Sequence, residues 1–510
     1  MILSTLLMLL PTLLYLAGTV LARRSWLPAR YAAALALLFS LAAVLLPLLP
    51  LPAPVGWLAT APLNLLMSVL VSLLGFLVVR FSVRYLAGDA AEQRFRHWLQ
   101  LCLAAVSLVV ISNHLLLFWL GWSIISISLH QLLVCYPERF RAVLAAHKKF
   151  ILARIGETAL LGAVLLLAYQ HDTFLIDKML AEIGSNGSLT LIEQLAAVLL
   201  ALAALIKCAQ MPLHGWLMQV VEAPTPVSAL LHAGVINLGG FLMITMAPLI
   251  ALSTPARTLL LVVAGLTAVL AALIMTTRIS IKVRLAWSTC AQMGLMLVEC
   301  ALGLYQLALL HLLAHSCYKA HAFLTSGEAV NQYLQQRLTP AQPLALLPWS
   351  RNLLLTTALV ISTLLLLPTS VSGAEWAAAG LVALALSFWL PMQATIADWS
   401  KRGASALLLL AAYLLQKHLF TAVVPATAEA GLIAILWVAL LGLLLIGGYG
   451  LLASHSRLGS RWQQSLFAGL YLDEWLTRTT LRIWPVQLPM ASSRKPLDNT
   501  PPQPTLQESA

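Results

Sequence analysis

Four sets of titratable side chains stand inside otherwise apolar stretches of this chain. Lys207 follows AVLLALAALI and precedes Pro212, a position that reads as mid-helix; Glu157 lies in ILARIGETALLGAV; His232 lies in PTPVSALLHAGVINLGG; His311, His315 and Lys319 lie in LHLLAHSCYKAHAFL. A charged group at membrane depth costs about 3 kcal/mol even on lenient scales, so it is retained for a function or a partner. Amines and imidazoles exchange protons, and a proline such as Pro212 frees backbone carbonyls that can line an ion path. The chemistry on offer is proton transfer through a membrane.

Spacing limits what each residue can do. Glu157 and Lys207 fall in neighbouring apolar segments, where opposite charges can pair and set the lysine's proton affinity. A static ion pair joining two helices is the plain alternative, and Arg154 one turn earlier puts Glu157 toward the cytoplasmic end. Pro224 and Pro226 open the segment of His232, Ser228 shares its face, and Gly234, Gly239 and Gly240 allow close helix packing. Steps of four put His311, His315 and Lys319 on one stripe of one helix. Two histidines there could hold a metal, but no third ligand has suitable spacing, so a proton relay fits better than a metal site; interhelix hydrogen bonds are the plain alternative. Glu222, Lys282, Glu299 and Lys417 are accessory candidates. Glu222 precedes the Pro-Thr-Pro turn at the cytoplasmic surface, and Lys282 reads most simply as a loop anchor. Glu299 and Lys417 sit in spans, where they act or snorkel to an interface.

The elements that must position these groups are membrane helices. The chain has 510 residues, is 61% hydrophobic and 9% charged, and has a mean hydropathy of +0.90. Such a composition predicts an all-α, polytopic integral membrane protein with about fifteen spans. Strands of a membrane barrel would be about 10 residues long and alternating, which excludes that class. The net charge of +12 does not mark a nucleic-acid binder, because the basic residues sit in short loops between spans. Arg23, Arg24 and Arg30, then Arg80, Arg84, Arg94 and Arg96, then Arg139, Arg141, Lys148 and Lys149, then Arg278, Lys282 and Arg284, then Lys401 and Arg402 fall in or flank alternate loops. That bias predicts an outside N-terminus and a cytoplasmic C-terminus in the inner membrane. The first apolar run reads as a retained span rather than a cleaved signal. Six cysteines are scattered without a CxxC pair, which signals neither a zinc nor an iron–sulfur site. The segment 455–485 carries Trp, Arg and Leu suited to the interface, and the polar, Pro-rich residues after 490 read as disordered.

These residues occur in a recognisable frame. KCAQMPLHGWLMQVVEAPTPVSALLHAGVINLGG at 207–240, IKVRLAWSTCAQMG at 281–294 and HLLAHSCYKAHAFLTSG at 311–327 resemble the antiporter-like membrane subunits of respiratory complex I and of multisubunit cation/proton antiporters. The resemblance covers roughly residues 60–400. It implies two inverted five-helix repeats, each with a broken helix. The expected layout is three N-terminal helices over 1–96, repeats over 97–250 and 251–395, further helices over 396–453, and an interfacial segment and tail over 454–510. It also implies relay roles for Lys207, His232, His311, His315 and Lys319, with Glu157 at the family's acidic position.

Three departures separate the chain from the complex I members. Ser123 follows Gly-Trp where they carry a glutamate; Pro368, Ser372 and Glu375 occupy the second broken helix without its lysine; and fewer than sixty residues follow the last span, too few for a long lateral helix. SALLHAGVINLGGFL, Gly-Trp-Ser and the short tail are most similar to the membrane subunits of two-component DabA–DabB inorganic-carbon accumulation systems. That resemblance implies a proton-conducting subunit, not itself an enzyme. It would energise CO2 or bicarbonate uptake with a large soluble partner that resembles a zinc carbonic anhydrase. No cofactor is expected in this chain, and zinc is expected in the partner. A redox-complex subunit, a cation/proton antiporter subunit and a scaffold with a dead proton path remain the alternatives.

Overall fold

The structure, a computed structural model, describes residues 2–48, 52–328, 334, 346–366, 373–390, 396–421, 423–424, 431–454 and 456–485. The first helices are α1 (Ile2–Leu21), α2 (Leu27–Ala43), α3 (Pro62–Tyr85), α4 (Glu92–Ile111), α5 (Leu115–Leu133), α6 (Phe140–His171) and α7 (Ile176–Asn186). The central stretch holds α8 (Leu191–Lys207), α9 (Gly215–Gln219), α10 (Thr225–Ala233), α11 (Leu238–Thr245), α12 (Ala247–Leu252), α13 (Thr254–Thr276), α14 (Ile281–Ala301) and α15 (Tyr305–Leu324). Then come α16 (Leu346–Leu366), α17 (Gly373–Trp389), α18 (Ile396–Phe420), α19 (Leu432–Ala453), α20 (Arg457–Phe467) and α21 (Leu472–Ile483).

The protein is an all-α, multi-span membrane protein. Among the described residues, ten helices are long and apolar enough to cross a membrane, against the expected fifteen or so. The shortfall has physical causes. At 17 residues, α8 is short because it stops at Lys207, while Lys282, Arg284, Glu299, His311, His315 and Lys319 lower the hydropathy of α14 and α15. The stretches 97–134 and 285–327 each divide in two as expected, at α4–α5 and α14–α15.

The centre of the body is α10–α11, whose most apolar window is 94% buried. α10 packs on α3 and α15, and α11 packs on α8, α14 and α15. Gly239 sets the closest approach of α11 to α8: a Cβ there would stand 2.9 Å from the Ala204 carbonyl oxygen and against Cys208 Sγ. Lipid-embedded helices associate by such van der Waals contact, since burial away from lipid gains nothing hydrophobic.

One expectation is corrected. The sequence puts Lys148 and Lys149 in a basic loop, but α6 starts at Phe140, so both lysines lie inside the helix and are buried. Apolar residues on both sides, Ala142–Ala146 and Phe150–Ala153, carry the helix through them. Residues 456–485, expected at the interface, pack on the body as well. α20 and α21 dock on the body, where the Arg278 guanidinium donates to the carbonyls of Phe467 and Leu466 at 2.9 and 3.1 Å and Trp484 stacks on His147 at 3.8 Å.

The loops after α3 and α5 are tied together: the Tyr136 hydroxyl donates to Asp89 Oδ2 at 2.7 Å, and the Ala91 N–H donates to Oδ1 at 2.8 Å. These bonds hold the Asp89 carboxyl below its usual range. A lowered folded value means the stabilisation is complete above the unfolded pKa of about 3.9 and fades as pH falls through the lowered one. The gap in melting temperature between wild type and Tyr136→Phe is therefore expected to be larger at pH 7 than at pH 3. Gly239→Val is expected to cost about 1–3 kcal/mol by overpacking, read as a lower melting temperature of the detergent-solubilised protein. Gly184→Ala, with open space around it, is the control.

Candidate proton path

The helix that carries Lys207 ends at that residue, so the lysine marks the break rather than a mid-helix position. Beyond it Ala209 takes φ +51°, a left-handed conformation that costs a non-glycine residue about 1 kcal/mol or more. Side chains from two neighbours satisfy the unwound backbone: Thr267 of α13 accepts from the Met211 N–H at 3.0 Å, and Cys290 of α14 donates to the Ala209 carbonyl at 3.2 Å. The Gln210 side chain donates to the Cys208 carbonyl at 2.8 Å.

Lys207 Nζ lies 4.5 Å from the centroid of the Trp122 ring, a cation–π contact that helps hold an ammonium away from water. Lys207, Lys149, Ser126, Trp122, Trp216 and Leu231 are among the residues lining a cavity of about 30 Å3, room for a water or two. Lys149 Nζ donates to the Ser126 carbonyl at 2.5 Å. Two ammonium groups in one small cavity repel, so a proton gained by one favours release from the other. Glu157 is within electrostatic range of both lysines but forms its ion pair with Arg154 at 2.7 Å, not with Lys207. The expected direct pair gives way because Arg154 is three residues earlier on the same helix, the local partner geometry supplies first.

His232 stands on α10 beside Leu231 and turns the other way, toward α14 and α15. Its ring stacks on Phe323 at 4.4 Å, and Nδ1 lies 3.1 Å from Thr289 Oγ1. Thr289 gives its own hydrogen to the Leu285 carbonyl at 3.0 Å. With Thr289 donating to Leu285, Nδ1 of a neutral His232 is the donor to Oγ1, and Nε2 is left buried and unpartnered. Lys319 Nζ donates to the same Leu285 carbonyl at 2.9 Å. His232 and Lys319 thus share one small network through Thr289. Ser228, one turn before His232, is also buried with an unpartnered hydroxyl. The helix breaks again at Gly234, where the Asn237 amide donates to the Ala233 carbonyl at 2.8 Å and to Ser316 Oγ at 2.7 Å.

The expected stripe on α15 is present. Both ring nitrogens of His315 are buried without a partner, and its ring is 6.3 Å from that of His311. His311 Nδ1 is 3.0 Å from Glu299 Oε2, and Nε2 is 2.7 Å from Gln292 Oε1. Glu299 thus faces this end of the stripe directly. Glu222 is at the surface, 4.0 Å from Arg141. Lys282 does more than anchor a loop, since its Nζ donates to Thr225 Oγ1 at the start of α10 at 2.9 Å. The side chain of Lys417 lies outside the described residues, as do Pro368, Ser372 and the tail after 485.

The family model for the transmembrane region of NADH:quinone oxidoreductase and Mrp antiporter subunits matches residues 112–374, and the model for the N-terminus of complex I chain 5 matches residues 57–96. A probable inorganic carbon transporter subunit DabB of Hydrogenovibrio crunogenus is 47% identical over 456 residues, covering 86% of each chain. The chain belongs to the DabB family of antiporter-like membrane subunits. A second family member, from Halothiobacillus neapolitanus, is 34% identical over 478 residues, 89% of this chain and 86% of its own. Among solved structures, a chain of the archaeal membrane-bound sulfane sulfur reductase shares the fold with a TM-score of 0.57 at 18% identity, covering 92% of this chain and 99% of its own.

Within this DabB-family fold, sequence reasoning missed Lys149, Trp122 and Thr289. The positive-inside bias explains a lysine pair after a span so readily that the apolar residues before it went unweighed. Thr289 resembles any helix threonine until its partner is seen. Lys149→Met is expected to lower transport about tenfold or more, as is Lys207→Ala, at unchanged membrane abundance. Thr289→Val, which removes the group fixing the His232 tautomer, is expected to lower it comparably, while Thr289→Ser retains most of it. Uptake rates in cells expressing each variant test both.

Proposed function

We propose that this chain is the proton-conducting subunit of a system for inorganic carbon uptake. The carrying observation is the pair of ionisable networks on the two sides of α10: the Lys207–Lys149 cavity on one, and His232, Thr289 and Lys319 on the other. A single buried helix one residue wide in phase separates them, since Leu231 lines the cavity and His232 faces the network. Protons would pass from Lys207 and Lys149 across α10 to His232, then along Lys319, His315 and His311 to Glu299. Glu157 with Arg154 sets the field at the first pair. The chain lies in the inner membrane with its C-terminus in the cytoplasm, where alternate loops hold the cations.

The names of the DabB relatives support inorganic carbon as the cargo. The partner in this reading is a large soluble subunit resembling a zinc carbonic anhydrase, which performs the CO2 chemistry. This chain supplies the proton path that drives it, and a cytoplasmic surface for docking.

Co-expression with the adjacent large soluble gene in cells lacking carbonic anhydrase tests the reading. Growth in ambient air should require both genes and should be lost in Lys207→Ala at normal membrane abundance. Growth that persists in Lys207→Ala would leave a scaffold role. Absence of growth with both wild-type proteins present would instead favour a redox-complex or cation-antiporter role.

A further inference from the structure

Asp473 on α21 lies outside the relay and yet reaches the break after α8. Its Oδ2 accepts from the Lys148 ammonium at 2.7 Å and from the Gln219 side chain at 3.3 Å. Its Oδ1 is buried with no hydrogen-bond partner. The carboxylate occupies the place where a Cβ on Gly215 would stand, so only glycine leaves room for it there. His214, the preceding residue, is buried with Nδ1 unpartnered, its ring 5.0 Å from that of Trp287. Gln210 Oε1 is a third buried, unpartnered acceptor in the same broken stretch. Trp216, on the other side of Gly215, lines the Lys207–Lys149 cavity. Unpaired buried polar atoms are costly, and three of them gathered about one break, beside a residue that lines the cavity, suit the passage of protons and transient waters.

The carboxylate is also held and wetted as a proton collector must be. Its side chain is 29% exposed, so one side meets solvent while the other faces the break. Thr477, one turn later, accepts from Lys148 at 2.6 Å and fixes that ammonium against the carboxylate. Arg278 on the carbonyls at the end of α20 holds the junction of the helix pair, and Trp484 on His147 holds its far end.

We propose that Asp473 is the proton-collecting group of this subunit, presented to the broken helix by the docked C-terminal helix pair. A proton passes from solvent water to a carboxylate oxygen, then to the imidazole of His214, which regenerates the carboxylate beside Lys148. It continues toward the cavity of Lys207 and Lys149, and no bond between heavy atoms changes. This inference rests on the proton-conducting reading given above.

The test uses the full chain co-expressed with its soluble partner in cells lacking carbonic anhydrase. It follows inorganic-carbon uptake, membrane abundance, and protease resistance of residues 457–484 in isolated membranes. Asp473→Asn keeps the shape and the bond from Lys148 but cannot carry a proton. The expected result is uptake lower by about tenfold or more, with abundance and protease resistance unchanged, and recovery of Asp473→Ala uptake on adding formate as a diffusible acid. Asp473→Asn uptake close to wild type overturns the inference while leaving the functional reading intact. Loss accompanied by digestion of the helix pair, with no recovery by formate, makes Asp473 a structural anchor and also overturns it. Failure of the wild-type pair to support uptake removes the functional reading and this inference with it.

Discussion

Unwound backbone inside a bilayer needs a partner for every N–H and C=O, and this fold is arranged around meeting that need at two places. After Lys207 the partners come from Thr267 and Cys290 on separate helices and from Gln210 within the break. After His232 they come from Asn237, which is itself tied to Ser316 on α15. Lipid offers no substitute for any of these groups, so the helices that supply them must surround the breaks. This explains why α10–α11 is the most buried element although it is not the most apolar. It also explains why Gly239 has to let α11 approach α8 so closely.

The same requirement puts ionisable groups where they can act. A helix that stops at a lysine leaves the ammonium at the end of the backbone ladder, beside carbonyls and a cavity, instead of among apolar side chains. An adjacent pair on an intact helix does something different. Lys148 and Lys149 point about 100° apart, so one reaches Asp473 on α21 and the other reaches Ser126 and the cavity. One short stretch of α6 therefore links the docked C-terminal helices to the cavity of Lys207 and Lys149.

Much of this was legible from residue order alone. Apolar run lengths give the class, and a period of four gives the stripe of His311, His315 and Lys319, because side-chain direction on a regular helix follows from spacing. What spacing cannot give is the choice among chemically equal partners. Glu157 had two cations within plausible reach, and the nearer in sequence, Arg154, holds it. Lys149 had two explanations, a loop anchor or a buried amine, and composition favours the first. Lys207 read as mid-helix because Cys208, Ala209 and Met211 are themselves apolar, so nothing but Pro212 announced the break.

Asp473 and Glu474 show how small the deciding difference can be. They are neighbours with the same chemistry, in a segment whose composition fits any interfacial helix. Glu474 faces outward and pairs with Arg478 at 3.1 Å, while Asp473 faces the body. Helical phase separates them: Asp473, Leu476, Thr477 and Thr480 are spaced as one face of a helix, and Leu476 and Thr480 are buried on it. That face is half polar, which a lipid-seeking helix would not tolerate and a helix docked on Lys148 requires. The polarity of the inward face, more than the apolarity of the segment, therefore marks α21 as a helix docked on the body.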